Sequence, residues 1–333
     1  IDPEDIDDIQ AKSIRNAGDA IRDDVVTLQD AIDAYLADSA ALRASTVEKR
    51  KRRLLALLDA LGDIPMSEIS HPLANGYLDE HLKPRGLAIR TLRAELTELS
   101  GFANWALGRG MLKTNPFRGL GRSIRGRAGQ TRQRRGWSAD ELINGLRNAK
   151  GHMRLTLLLA MYTGARSAEM AEMRLRDIHS THGHIRDSKT EAGIRLVPWH
   201  PMLMPLVDSW LSRVADSPDE YVIPGPKRLG ADKSRGKSLS GRFSSWKRRA
   251  GLPSELCLHG LRHTVITHLV EKSWPTHEVQ QLVGHKRKEL VHSTYSRGVP
   301  LERLAELVAS IDYGNVVTEA TRETVREVVR GDW

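Results

Sequence analysis

His259-Gly260-Leu261-Arg262-His263 is the stretch on which the reading of this chain turns, because Gly284-His285 and then Tyr295 follow it in order. An arginine presents a planar fork of donors that matches phosphate oxygens, which a lysine cannot do. Histidines add hydrogen-bond donors near the same phosphate. A tyrosine hydroxyl, once deprotonated, is a nucleophile able to form a covalent intermediate. The series therefore suits attack by a tyrosine on a phosphodiester. A rival use of the same residues is zinc: His259 and His263, four apart on a helix, would be half a site, with His285 as a further ligand. Zinc leaves no role for Arg262, whose charge would be repelled beside it, so no metal is expected.

Working outward, an upstream partner follows the apolar run Leu155 to Tyr162: Thr163-Gly164-Ala165-Arg166-Ser167-Ala168-Glu169. Arg166 stands at a helix start, where a cation is poorly matched to the helix dipole. It should meet an anion, or pair with Glu169 three residues on, or both at once. Asp187-Ser188-Lys189-Thr190 and Gly193-Ile194-Arg195-Leu196-Val197-Pro198 come next, with short alternating patterns that predict a hairpin turning at Gly193.

With these pieces the sequence resembles the tyrosine recombinases, the phage integrase family, over roughly residues 25–312. The resemblance implies a catalytic set of Arg166, Lys189, His259, Arg262, His285 and Tyr295. In it the two arginines and His285 hold the scissile phosphate. Lys189 protonates the leaving 5′-oxygen, because an alkoxide leaves poorly, and His259 assists proton movement. Glu169 and His263 are supporting residues. Tyr313, the other late tyrosine, lies beyond the motif and serves as a control. The resemblance also implies double-stranded DNA as partner, a homo-tetramer on two duplexes, and room for accessory DNA-bending proteins. No cofactor is expected, since one phosphodiester is traded for another.

The fold expected is mainly α, with a small sheet (α+β), in two domains. Residues 1–24 form an acidic extension. Residues 25–120 read as a helical DNA-binding domain. Thr27 caps a first helix, Ser45-Thr46 opens a second that closes at Gly62, and a third spans Thr91 to Leu107. Residues 121–136 hold six arginines, four glycines and no acid, a composition that argues for a linker tracking phosphates rather than for independent folding. Residues 137–312 form the catalytic domain, opened by the capping box Ser138 to Glu141. Within it, helices are expected over 201–215, 239–250, 258–273 and 276–283, and an extended segment at Tyr221 to Pro224. Residues 313–333 read as a terminal helix with a valine stripe (316, 320, 324, 328 and 317, 321, 325, 329). It must bury that stripe, either on its own domain or on a neighbouring protomer.

The formal net charge of +9 permits nucleic-acid binding without establishing it. Backbone contacts are expected from Arg50, Arg53, Arg122, Arg125, Arg127, Arg132, Arg134, Arg135, Lys237, Arg242, Lys247 and Arg248. No apolar run approaches the roughly 18 residues of a membrane span. One cysteine, Cys257, rules out an intrachain disulfide and reads as a small core residue. A cytoplasmic, nucleoid-associated protein is expected. The chain opens Ile1-Asp2-Pro3 without Met, as a piece of a longer protein would. Two other readings stay open: a type IB topoisomerase-like nicking and closing activity, and a non-catalytic DNA-binding protein on the same fold.

Overall fold

The computed structural model describes residues 25–124, 135–188, 191–285 and 298–331. The chain divides into two compact units, 1–131 and 132–333. The acidic extension, Lys189, Tyr295, and Arg125, Arg127, Arg132 and Arg134 lie outside the described residues.

Unit 1 is helical. Its first helix, α1 (Leu28–Asp38), is capped by Thr27, whose hydroxyl accepts from the Asp30 amide while Asp30 accepts from the Thr27 amide. Helix α2 (Ala44–Leu61) stops at Gly62, which takes φ +74, a conformation open to glycine at little cost. A short α3 (His71–Gly76) runs into a wider turn at Tyr77–Leu82. The core is completed by α4 (Ile89–Gly108), which buries Leu92, Leu96, Leu99, Phe102, Ala103 and Ala106. These positions recur at the 3.6-residue period, as a helix with one apolar face requires.

Two expectations for this unit are corrected by its packing. Arg50 and Arg53 point into the unit. Arg50 pairs with Glu98 at 2.7 Å and lies over the Tyr35 ring, and Arg53 pairs with the buried Glu95 at 3.0 Å. Their neighbours Lys49, Lys51 and Arg52 are the exposed cations of α2. The arginine-rich stretch also begins later than expected. Leu120–Ser123 is a short helix, α5, and Ile124 is buried in the unit 1 core, so Arg122 is an exposed residue of a folded element.

Unit 2 is built around α7 (His152–Thr163), in which Met153 and every residue from Leu155 to Thr163 are buried. A helix apolar on all sides belongs at the centre of a core. Around it lie α6 (Ala139–Asn148), opened by the Ser138–Glu141 capping box, and α8 (Ser167–Glu172). Then come the antiparallel strands β1 (His182–Ile185) and β2 (Arg195–Pro198), paired His182 with Pro198 through Ile185 with Arg195. The remaining helices are α9 (Met204–Val214), α10 (Arg235–Arg249), α11 (Leu258–Glu271), α12 (Thr276–Val283), α13 (Leu301–Ala309) and α14 (Asn315–Arg330). Tyr221 makes a single bridge to Arg174 in place of a full strand.

The terminal helix α14 packs on α6, α7 and α9 of its own unit. Its buried face is Val317, Ala320, Thr321, Thr324, Val325 and Val328, while Val316 and Val329 are exposed. The face is therefore one valine narrower at each end than the expected stripe. Thr321 and Thr324 enter the core because their hydroxyls donate to the carbonyls of Val317 and Ala320, four residues back. Cys257 is half-buried at the cap of α11, less enclosed than expected of a core residue. Among the described residues, no helix is long and apolar enough to cross a membrane.

Candidate active site

Four elements of unit 2 bring their functional side chains together. Arg166 is the residue before α8, because Gly164 (φ +59) ends α7 and turns the chain. Its amide donates to Glu169 Oε2 at 2.9 Å and its Nη1 to Glu169 Oε1 at 2.6 Å. Its Nη2 donates to the Gly284 carbonyl at 2.9 Å, beside His285. Arg262, from α11, is 1% exposed. It donates from Nη1 to the Gly164 carbonyl at 2.8 Å, while its Nε and Nη2 are buried with no hydrogen-bond partner among the described residues. Glu169, 3% exposed, also accepts from Ser188 Oγ at 3.0 Å and from Arg195 Nη2 at 3.1 Å.

The electrostatics agree with convergence. Burial, then the charges of Arg166 and Arg195, push the Arg262 guanidinium down to about 9, with Glu169 opposing. Desolvation, then Arg262, Arg166, Arg195 and His263, hold the His285 imidazole below the usual histidine range. Burial alone would raise the Glu169 carboxyl. Arg195 and the hydrogen bonds from Arg195 and Arg166 more than reverse this and leave it below the ordinary value. The cage thus gathers three guanidinium groups around one carboxylate. A buried cation with unused donors is costly unless an anion meets it. Its geometry would stabilise the charge of a phosphoryl transition state. His259 is exposed on α11, one turn from His263, with the rings edge to face at 4.9 Å between centroids. Among the described residues, no group of three or more His, Cys, Asp or Glu side chains could hold a metal ion.

Residues 138–299 match the Phage integrase family. A curated relative, "Tyrosine recombinase XerC" of Proteus mirabilis, is 28% identical over 276 residues, covering 78% of this chain and 86% of the relative. Among solved structures, a lambda integrase tetramer bound to a Holliday junction superposes with a TM-score of 0.59 at 23% identity, covering 81% of this chain and 80% of that one. The Tn1549 transposon integrase in complex with a circular intermediate DNA gives a TM-score of 0.61 at 16% identity, covering 82% and 96%. The chain carries a phage integrase family domain over residues 138–299 and is similar to tyrosine recombinases. It is a site-specific DNA recombinase, and its mainly helical fold with a small two-stranded sheet is the fold of that family.

Within this recombinase, the structure brings together Arg166, Glu169, Arg262 and His285, with His263 at the edge. Lys189 and Tyr295 fall outside the described residues. Their flanks do not: Ser188 is held by Glu169, and His285 follows the turn that α12 ends in at Gly284. The Tyr313 ring is half-buried, with its hydroxyl turned inward to donate to the Met161 carbonyl at 2.6 Å. Burial raises it well above the usual phenol value, so it has neither access nor acidity.

The expected DNA contacts of this unit divide. Lys237 and Arg248 are exposed on α10, and Arg242 is half-buried beside Gly225. Lys247 is instead buried, donating to the carbonyls of Ser254 and Leu256 at 2.6 Å each, which pins the loop before α11. Arg135 is taken by a bidentate pair with Glu141 at 2.7 and 2.5 Å. Both were expected on phosphates, and both already have internal partners. The site residue that sequence reasoning missed is Arg195. Its signal was present, because an arginine inside an alternating strand pattern needs a partner wherever its face is inward.

Proposed function

We propose that Tyr295 attacks the scissile phosphate of a specific DNA site, forming a 3′-phosphotyrosyl bond as the bond from phosphorus to the 5′-oxygen breaks. Arg166, Arg262 and His285 hold the non-bridging oxygens. The phenol loses its proton as attack begins, with His259 assisting. Lys189 supplies a proton to the departing 5′-oxygen. A 5′-hydroxyl from a second strand then reverses the step. The observation that carries this reading is Arg262, a nearly fully buried arginine whose Nε and Nη2 have no partner among the described residues, beside two further guanidiniums. Such donors have a use when a phosphate enters.

The relatives support an integrase of a phage or mobile element, acting on nucleoid DNA as a tetramer across two duplexes. The exposed Lys237, Arg248 and Arg122 are backbone contacts in this reading, so affinity should fall steeply with salt.

The test is covalent capture. The full chain is incubated with a nicked duplex carrying the sequence that it protects from nuclease. A protein–DNA adduct should form, vanish with Tyr295→Phe and persist with Tyr313→Phe. The opposite pattern overturns the nucleophile. No adduct on a protected sequence favours a non-catalytic binder. Relaxation of supercoiled DNA without exchange of ends between duplexes would select the topoisomerase-like activity.

A further inference from the structure

Arg195 is the one member of the cage with no assigned task. It lies on β2 and is 9% exposed. Its guanidinium is used on three sides. Nε donates to the Leu282 carbonyl at 2.6 Å, Nη1 to the Gly193 carbonyl at 2.7 Å, and Nη2 to Glu169 Oε2 at 3.1 Å. These bonds tie the hairpin to the end of α12 and to the carboxylate that holds Arg166. Arg195 leaves no donor pointed at a ligand comparable with those of Arg262, so it is not itself a phosphate clamp.

We propose that Arg195 is a positioning residue that keeps Arg166 available to the phosphate and fixes the turn bearing His285. Glu169 has two oxygens. Oε1 takes Arg166 Nη1 and Ser188, and Oε2 takes the Arg166 amide and Arg195. With Arg195 present, the carboxylate is divided between two guanidiniums, and the cage keeps a net positive charge. Without it, the full carboxylate charge falls on Arg166, and the phosphate meets a weaker clamp. The second effect is steric. Gly284 sits at φ +67, and a Cβ built there would lie 2.7 Å from Arg195 Nη1 and 2.9 Å from the Ala192 carbonyl. The turn before His285 is therefore moulded against the Arg195 fork. The Leu282 carbonyl, three residues before His285, is held by the same side chain. A lysine cannot reproduce this, because one ammonium cannot reach three acceptors in the plane of the fork.

The proposal rests on the phosphate-cage reading above, and its test separates the two. Adduct formation is measured on the nicked duplex with an ordinary scissile phosphate and with a methylphosphonate there. The methyl group removes the negative charge that the arginines meet. On the phosphodiester, Arg195→Gln should slow adduct formation about 100-fold, the scale of a misplaced reacting group. Arg195→Lys should recover roughly a tenth of the loss, because charge without the fork restores only the sharing. On the methylphosphonate, the gap between wild type and Arg195→Gln should shrink to within about five-fold. DNA retention in a gel shift should change little. An equal defect on both substrates would overturn the proposal, since a general loss of structure slows both alike. If Arg195→Gln fails to fold, the same ratio is read from Arg195→Lys. Tyr295→Phe is run beside them. Adduct surviving in it defeats the nucleophile assignment, while the ratio between the two substrates still reports on Arg195.

Discussion

Replacing Arg262 by methionine should make the DNA-free protein more stable while disabling it. Arg262 is almost fully buried, keeps one hydrogen bond, to the Gly164 carbonyl, and faces two like charges. Its guanidinium is pushed down to about 9, against more than 12 for an ordinary arginine. About three decades at about 1.4 kcal/mol each put the cost of holding that charge at up to ~4 kcal/mol. Methionine has a similar reach and no charge. It forfeits one hydrogen bond, worth ~1 kcal/mol, and some packing, of about the same size. The net gain is on the order of 1–3 kcal/mol, or roughly 3–8 °C for a unit of this size. Scanning calorimetry in low-salt buffer free of phosphate and sulfate reads it. A base depressed in the folded state costs stability wherever it is charged, so the gap should be constant through neutral pH and close only above about pH 9. Adding sulfate should raise the melting temperature of the wild type and leave the variant unmoved. Adduct formation should fall by about 100- to 1,000-fold. A melting temperature for Arg262→Met that is lower in anion-free buffer would refute the reasoning, because it would make the guanidinium a satisfied structural group.

Three further outcomes are expected. Gly284→Ala combines a left-handed backbone with two contacts under 3.0 Å on pinned atoms, so it should cost about 2–4 kcal/mol and most of the adduct yield; an unchanged melting curve with full activity would contradict it. Binding of the protected duplex should take up a proton at pH values below the ordinary histidine range. Burial first, and then the cage charges, hold His285 below its usual range, and a phosphate offsets the charges. Calorimetry in buffers of differing ionisation enthalpy measures the uptake, which His285→Gln should abolish. Arg53→Ala should destabilise unit 1 by about 2–4 kcal/mol, because it strips the buried Glu95 of its partner. The salt slope of DNA binding should stay as it was; a shallower slope would return Arg53 to the DNA surface.

The order of helices was legible in the sequence because caps and apolar periods are local. Ser138 with Glu141 and Thr27 with Asp30 make the reciprocal bonds their types suggest. Arg166 and Arg262 were legible as a pair through the order of motifs that resembles the family's, with Gly164 beside one and two histidines beside the other. What was not legible is the destination of each cation. Arg50, Arg53, Arg135 and Lys247 sit in runs as basic as those of Lys237 and Arg248. Only the fold decides which meets a carboxylate or a carbonyl and which meets solvent. The same limit hid Arg195, whose three acceptors come from α8, α12 and its own hairpin, up to 87 residues away. Helix α13 escaped notice because nine residues give a short period.

The buried cations of unit 2 provide their own control for the meaning of the orphaned donors. Arg235 is 7% exposed. It gives Nε to Ala171, Nη1 to Pro226 and Nη2 to Ile223, all at 2.5–2.8 Å, with its guanidinium 3.4 Å from the Tyr221 ring centroid. Lys247 reaches two carbonyls, and Arg195 two carbonyls and a carboxylate. Each nitrogen of these three cations therefore has an acceptor. At Arg262, Nε and Nη2 have no hydrogen-bond partner among the described residues. The shortfall sits where Arg166 and His285 also arrive. Unfilled donors at the meeting point of three functional side chains are what a preorganised phosphate site requires, since donors already aimed need no rearrangement when charge develops.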